Sequence, residues 1–361
     1  MELLLRIAIF ILGLVISAGT LFSAMETFVL PRSAQDFLTR SVFVGIRALF
    51  SQLMKRAKTF AERDRILAFY APVALLTLLP VWYLLILLGY MFMFWAVGDI
   101  SWAEAFRDSG SSLLTLGFAN INGLPQTILT FSEATLGLLL VALLIAYLPT
   151  IYSAFSRREA AVTLLEVRAG DPPTAMEMIR RFHRIHGLDQ LTNVWRNWEV
   201  WFADIEESHT SLPALVFFRS PLPQHSWVTA AAAVLDGAAL MESSVEFPSD
   251  AQAALCIRAG YLALRHIANF FSIPYTSDPK RGDPISISRA EYDRVVAQLE
   301  EAGIPIKTDR ETAWLDFCGW RVNYDQVLLA LAELIMAPAS PWTGTRREDY
   351  QVPLVIGPSK N

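Results

Sequence analysis

Between Ile66 and Val97 the chain runs for 32 residues without a charged side chain. Such a stretch cannot lie on the surface of a soluble domain, and about 20 apolar residues already suffice to cross a hydrocarbon core. As one straight helix it would extend about 48 Å at ~1.5 Å rise per residue. Pro72 and Pro80 offer the points at which so long a run divides, so the expected helix begins near Ala74 and bends at Pro80. Two other runs have the same character: Leu3 to Ala24 is broken only by Arg6, and Ala134 to Phe155 carries no charge. With 53% hydrophobic and 18% charged residues and a mean hydropathy of +0.37, the chain is a membrane protein. Roughly 200 residues of mixed composition follow, enough for one soluble domain with its own core.

Charge sets the expected topology. The segment from Pro31 to Ile66 carries Arg32, Arg40, Arg47, Lys55, Arg56, Lys58, Arg63 and Arg65 against Asp36, Glu62 and Asp64, an excess that marks the cytoplasmic side. Within it Phe43, Ile46, Leu49, Phe50, Leu53 and Met54 recur at helical spacing opposite Arg40, Arg47 and Lys55, the pattern of a helix lying at the inner interface. From Asp99 to Glu133 the bias reverses, with Arg107 the one cation among four acids, which places that loop outside. The N-terminus is then outside and the C-terminal half cytoplasmic, in a multi-pass protein of the plasma or inner membrane. A second reading of residues 3–24, a signal peptide cut after Phe22-Ser23-Ala24, lacks the positive leading region because Glu2 precedes Arg6. A net charge of −5 excludes a nucleic-acid partner. Cys256 and Cys318 have no metal spacing and read as reduced thiols.

The loop between the second and third runs holds the candidate site. Ser101 and Glu104 form a capping box for a short helix from Trp102 to Leu113 or Leu114. Then follows Thr115-Leu116-Gly117-Phe118-Ala119-Asn120, which resembles the Thr-Val-Gly-Tyr-Gly-Asp signature of the potassium-channel pore-loop superfamily. The spacing from this string to Phe155-Ser156-Arg157-Arg158-Glu159 is also similar to that of two-helix bacterial members. The resemblance implies three transmembrane helices with a re-entrant pore helix and filter loop. Residues 1–30 would form the first helix, 31–65 the interfacial segment, 66–156 the pore domain with its pore loop at 99–133, and 157–361 a helical cytoplasmic domain. It further implies a homotetramer, since one loop supplies a quarter of a filter, surrounded by membrane lipid. Potassium would pass through the filter, its hydration shell replaced by the Thr115 hydroxyl and the carbonyls of Leu116, Gly117 and Phe118. The C-terminal end of the short helix would point its partial negative charge at the filter entrance.

Several positions depart from the family. Ala119 stands where the family has its second glycine; in a left-handed conformation it would cost ~1 to 2 kcal/mol per subunit, and otherwise the outer filter is rebuilt. Phe118 lacks the hydroxyl of the family tyrosine. Arg107 and Asp108 stand where two supporting tryptophans are common, and Ser111 and Asn120 where some members brace the filter with an acid pair. Along the third helix Leu140, Leu143, Tyr147, Ile151 and Phe155 form one stripe. In the family register it lies near the conduction path, with Ile151 and Phe155 as a dewetting gate and Pro149 as the flexing point. The competing reading makes the same residues lipid-facing or bundle packing.

The last 200 or so residues read as mostly helical, with capping boxes at Thr174-Ala175-Met176-Glu177 and Ser288-Arg289-Ala290-Glu291 and a start at Ser249-Asp250. The expected helices are 174–185, 194–207, 227–241, 251–271, 290–302 and 324–336. His183 and His186 fall on one helical face and Glu206, Glu207 and His209 cluster, but no complete ligand set appears, which favours surface or packing histidines over a metal. Trp195, Trp198 and Trp201 form a stripe that reads as core or intersubunit packing. With no nucleophile–base motif and no nucleotide fingerprint, the chain reads as a non-enzyme. Its only bound species would be the permeant potassium ion, besides an unidentified gating ligand or partner. The alternative is a non-conducting membrane sensor or scaffold descended from channels.

Overall fold

A computed structural model describes residues 2–30 and 36–338. Pro31 and Arg32 of the basic segment, and 339–361 of the soluble half, lie outside the described residues. The described chain is all-helical. Its elements are α1 (Glu2–Phe28), α2 (Phe37–Met54), α3 (Phe60–Leu67), α4 (Tyr70–Val97), α5 (Trp102–Leu113) and α6 (Leu124–Ala169), then α7 (Ala175–Arg184), α8 (Leu191–Ser211), α9 (Trp227–Ser243), α10 (Ala251–Phe270), α11 (Arg289–Glu301), α12 (Arg310–Arg321) and α13 (Asp325–Leu334). Among the described residues extended pairing is confined to one isolated bridge, Val245 with Ile306. Three stretches are long and apolar enough to cross a membrane: Glu2–Phe28, Phe60–Val97 and Leu124–Ala169, of hydropathy 2.3, 2.3 and 2.2.

The chain divides into two compact units, one of residues 1–57 and 69–153, the other of 58–68 and 154–361. In the first, α1 lies along α4 on a seam of small residues. Gly13, Ser17, Thr20, Ser23 and Ala24 are the buried positions of α1. A Cβ added to Gly13 would stand 2.3 Å from the Gly89 carbonyl oxygen, and one added to Gly89 would stand 2.3 Å from Ser17 Oγ. Backbones in such contact exclude side chains, and dispersion over the whole seam holds helices together where hydrocarbon supplies no hydrophobic force. Trp82 Nε1 donates to Ser23 Oγ at 3.1 Å, which satisfies the one polar atom of that buried ring. The helix α4 begins at Tyr70, four residues before the expected Ala74, because Pro72 falls in its first turn, where an amide hydrogen has no helical partner to lose. It continues through Pro80, as α6 does through Pro149. Asp36 caps α2 by accepting from the Thr39 amide at 3.0 Å. The Tyr70 ring then sits between Phe43 and Phe50, 6.2 and 5.9 Å away.

The second unit is built around α9, on which every residue from Trp227 to Met241 is buried. Alanine and glycine at seven of those positions let α7, α8, α10, α12 and α13 pack around it. One charged cluster is enclosed in this core: Arg321 donates to Asp236 of α9 and, at 2.8 Å, to Asp325, while Tyr324 Oη donates to Asp236 at 2.9 Å. All four side chains are at least nine-tenths buried, and their mutual bonds offset a desolvation that would otherwise exclude them. The small helix α3 is capped by Thr59 and Glu62. Its Asp64 accepts from Arg219, whose other nitrogens donate to the carbonyls of Ile335 and Met336 at 2.6 and 2.9 Å. Residues 58–65, expected as the end of the interfacial segment, and 66–68, expected as the start of the pore domain, thus belong to the unit of the C-terminal half.

Candidate functional site

The short helix α5 starts as its sequence dictates. Ser101 Oγ accepts the Glu104 amide at 3.3 Å and the Glu104 carboxylate accepts the Ser101 amide at 2.7 Å. Its other end is set by a device absent from the sequence signals. The Thr115 amide donates to the Ser112 carbonyl at 3.0 Å and the Leu116 amide to the Ser111 carbonyl at 2.8 Å. This is a Schellman stop, whose left-handed position is usually glycine. Here Thr115 takes it, with φ of 54°, a costly conformation for a β-branched residue. Gly117 has φ of 69°, where the absence of Cβ removes the penalty. Ala119 is not among the positive-φ residues, so the strain considered for Ala119 falls on Thr115 instead.

The loop is also held from the side. Ser111 Oγ accepts the amides of Phe118 at 3.1 Å and Ala119 at 3.2 Å. A buried serine thus occupies the bracing position that the resemblance assigns to an acid, and it grips backbone rather than a side chain. Thr115, Leu116, Gly117, Phe118 and Asn120 are exposed and Ala119 half-buried. Leu114, Leu116 and Phe118 remain 49%, 59% and 58% exposed although the backbone beneath them is fixed.

Below the loop, Ser109 of α5 donates to Glu133 Oε1 at 2.5 Å and also approaches the Leu87 carbonyl at 3.0 Å. Glu133 is fully buried on α6, and its Oε2 has no hydrogen-bond partner. Sequence reasoning counted Glu133 only as one acid of an outside loop. An acidic residue inside a helical apolar context was the signal that could have singled it out. Tyr83 and Tyr90 of α4 donate to the Gly137 carbonyl at 2.7 Å and to Ser132 Oγ at 3.0 Å, tying α4 to α6 beside it.

The stripe expected along the conduction path is divided. Leu143 is half-buried and Pro149 exposed. Tyr147 and Ile151 are buried, and the Tyr147 ring packs on Phe28 of α1, 4.7 Å between centroids, where Phe28 also meets Trp82 at 5.1 Å. Within its own chain Tyr147 therefore packs against α1. Phe155 lies 5.8 Å from the Phe218 ring and beneath the Arg158 guanidinium at 5.2 Å, inside the second unit.

Other candidates also resolve. The helix α7 ends at Arg184, and His186 lies beyond it with φ of 56°, so His183 and His186 do not share a helical face. Glu206 pairs with His266 at 2.8 Å, whereas His209 is enclosed with Arg158, 3.4 Å away. Trp195, Trp198 and Trp201 are core residues of α8, the last two 4.3 Å apart. Cys256 and Cys318 are free and buried, and burial raises both thiols, that of Cys318 to about 11. No family model, curated protein or solved structure matches the chain.

Proposed function

We propose that the chain is the subunit of a homotetrameric, potassium-permeable cation channel of the membrane, with α5 as its pore helix and residues 115–120 as its filter loop. One observation carries this reading. A loop between two membrane-length helices is fixed by Ser111 and by a strained Thr115, yet presents Leu114, Leu116 and Phe118 uncovered. A soluble loop would turn such side chains inward, whereas a filter loop covers them with neighbouring copies of itself. Strain concentrated at an exposed, ordered loop is also characteristic of functional sites. The N-terminus is outside and residues 157–361 cytoplasmic, where they receive the gating signal. Potassium is the permeant ion; no other cofactor and no chemistry on a substrate are proposed.

A non-conducting membrane scaffold is the second reading. It draws on the burial of Tyr147 and Ile151 within the single chain. Reconstitution in planar bilayers separates the two, with potassium on one side and sodium on the other. The channel reading expects currents reversing toward the potassium equilibrium potential and their loss in Gly117→Leu. A Cβ at Gly117 meets no atom within 4 Å in the single chain, so within the subunit the cost of the variant is that of a side chain at a φ of 69°, ~1 to 2 kcal/mol, and melting of the variant reports whether the subunit still folds. Absence of current from the wild type under all voltages, with an intact assembled protein, favours the scaffold.

A further inference from the structure

In the second unit Glu166, in the last turn of α6, Asp171, just beyond it, and His225, two residues before α9, converge, with one potential ligand atom from each lying within 4.8 Å of the others. Three features distinguish this group from an ordinary acidic patch. The His225 side chain is 5% exposed, and its Nε2 faces Asp171 Oδ1 at 3.3 Å and Glu166 Oε2 at 3.7 Å. Despite that proximity Nε2 makes no hydrogen bond. Among the described residues no arginine or lysine lies within ion-pair distance of either carboxylate, so two negative groups share a site with one imidazole and no fixed cation.

The two separations from the imidazole suit a metal. Ligands bound at about 2.0–2.2 Å in tetrahedral geometry stand about 3.3–3.6 Å apart, close to the 3.3 and 3.7 Å measured from Nε2. The surroundings hold the ligands in place. Gln224 Nε2 donates to Asp171 Oδ2 at 3.1 Å, which leaves Oδ1 toward the histidine. Arg181 donates to the carbonyls of Glu166 and Val167 at 3.0 and 2.8 Å, fixing the end of α6. Glu166 and Asp171 are 41% and 29% exposed, so the site has an open side for entry and for a water as fourth ligand.

We propose that Glu166, Asp171 and His225 bind a divalent transition-metal ion of the zinc class. An imidazole with carboxylates selects such an ion over calcium or magnesium, which take all-oxygen shells. The pair His183 and His186, the histidine spacing visible in the sequence, takes no part.

The full chain, purified in detergent and stripped with a chelator, is to be dialysed against zinc chloride and its bound metal counted. One zinc per chain is expected, with a rise in melting temperature on loading. Removing a ligand in His225→Gln or Glu166→Gln is expected to weaken binding at least about 100-fold, and Gln224→Leu, one bond further out, about 10- to 100-fold. The double variant His183→Gln, His186→Gln should bind as the wild type does. Melting of the metal-free variants reports whether they fold, and Glu166→Gln, at a partly exposed position, keeps the test valid where His225→Gln does not fold. Equal zinc binding by wild type and the folded Glu166→Gln variant overturns the site, as does no binding by the wild type; preference for calcium or magnesium overturns the assigned ion class. None of these readouts depends on ion flux, so they stand or fall apart from the channel reading.

Discussion

Ser111 and Thr115 divide the work of shaping the candidate filter loop. Thr115 turns the chain off the end of α5 in a left-handed conformation, and the Ser111 hydroxyl, one helical turn earlier, receives the amides of Phe118 and Ala119. A net hydrogen bond contributes ~0.5–1.5 kcal/mol, and two donors depend on this one oxygen. Ser111→Ala is therefore expected to loosen the loop without disturbing α5. Hydrogen exchange over residues 114–120 should accelerate about 5- to 30-fold, the factor that one or two kcal/mol represents. Unchanged exchange would mean that the Schellman bonds alone hold the loop. In a conducting channel the same variant should move the reversal potential toward zero.

Among the elements, the α1–α4 pair is the clearest case of close packing dictated by residue size. Gly13 and Gly89 bring the two backbones into contact, and Ser17, Thr20 and Ser23 extend the seam. Gly89→Leu must push Ser17 and the Gly13 carbonyl away, with an expected destabilisation of about 1–3 kcal/mol. Gly19→Leu supplies the control, because a Cβ there meets no atom within 4 Å. Thermal unfolding in detergent should separate the two variants by several degrees, and equal melting would show that the helices slide apart at no cost. The helix α12 teaches a different lesson. It was not expected from the sequence, since its run of charges and aromatics has no simple apolar period. Asp309 caps it by accepting the Thr312 amide at 3.0 Å, and Arg321, its last residue, is a buried cation of the second unit.

At the scale of the whole molecule, buried charge fixes how the second unit assembles. Arg158 leaves α6 to donate to the carbonyls of Leu215 and Phe218 at 2.9 and 2.6 Å, and to Glu159 at 2.8 Å. It also meets His209 Nε2 at 3.4 Å. A guanidinium only donates, so Nε2 accepts and the imidazole hydrogen sits on Nδ1, beside Ser208 Oγ at 3.1 Å. Burial, and then the charge of Arg158, hold the imidazole well below its usual pKa. In the unfolded chain the group takes up a proton below about pH 6.5, while the folded chain does not. Its contribution is thus complete above that pH and is lost as pH falls, by up to ~1.4 kcal/mol per unit. Melting curves between about pH 7.5 and 5.5 should therefore show a steeper loss for the wild type than for His209→Gln. Parallel slopes would mean that His209 is protonated in the fold as well.

The apolar runs by themselves determined three membrane-length helices, and local caps at Ser101, Thr174 and Ser288 determined where further helices begin. Both signals lie in contiguous residues, a cap within about one turn and a span within one unbroken run, so a sequence carries them whole. The tertiary structure decided the rest. In a helix apolar on every side, periodicity cannot say which face meets a neighbour, and only packing put Tyr147 against Phe28. Cap chemistry cannot foresee a threonine in a glycine's conformation, because the strain is offset by bonds formed around it. The meeting of Glu166, Asp171 and His225 follows from the path of the chain between α6 and α9, and distance along a sequence holds no record of that path.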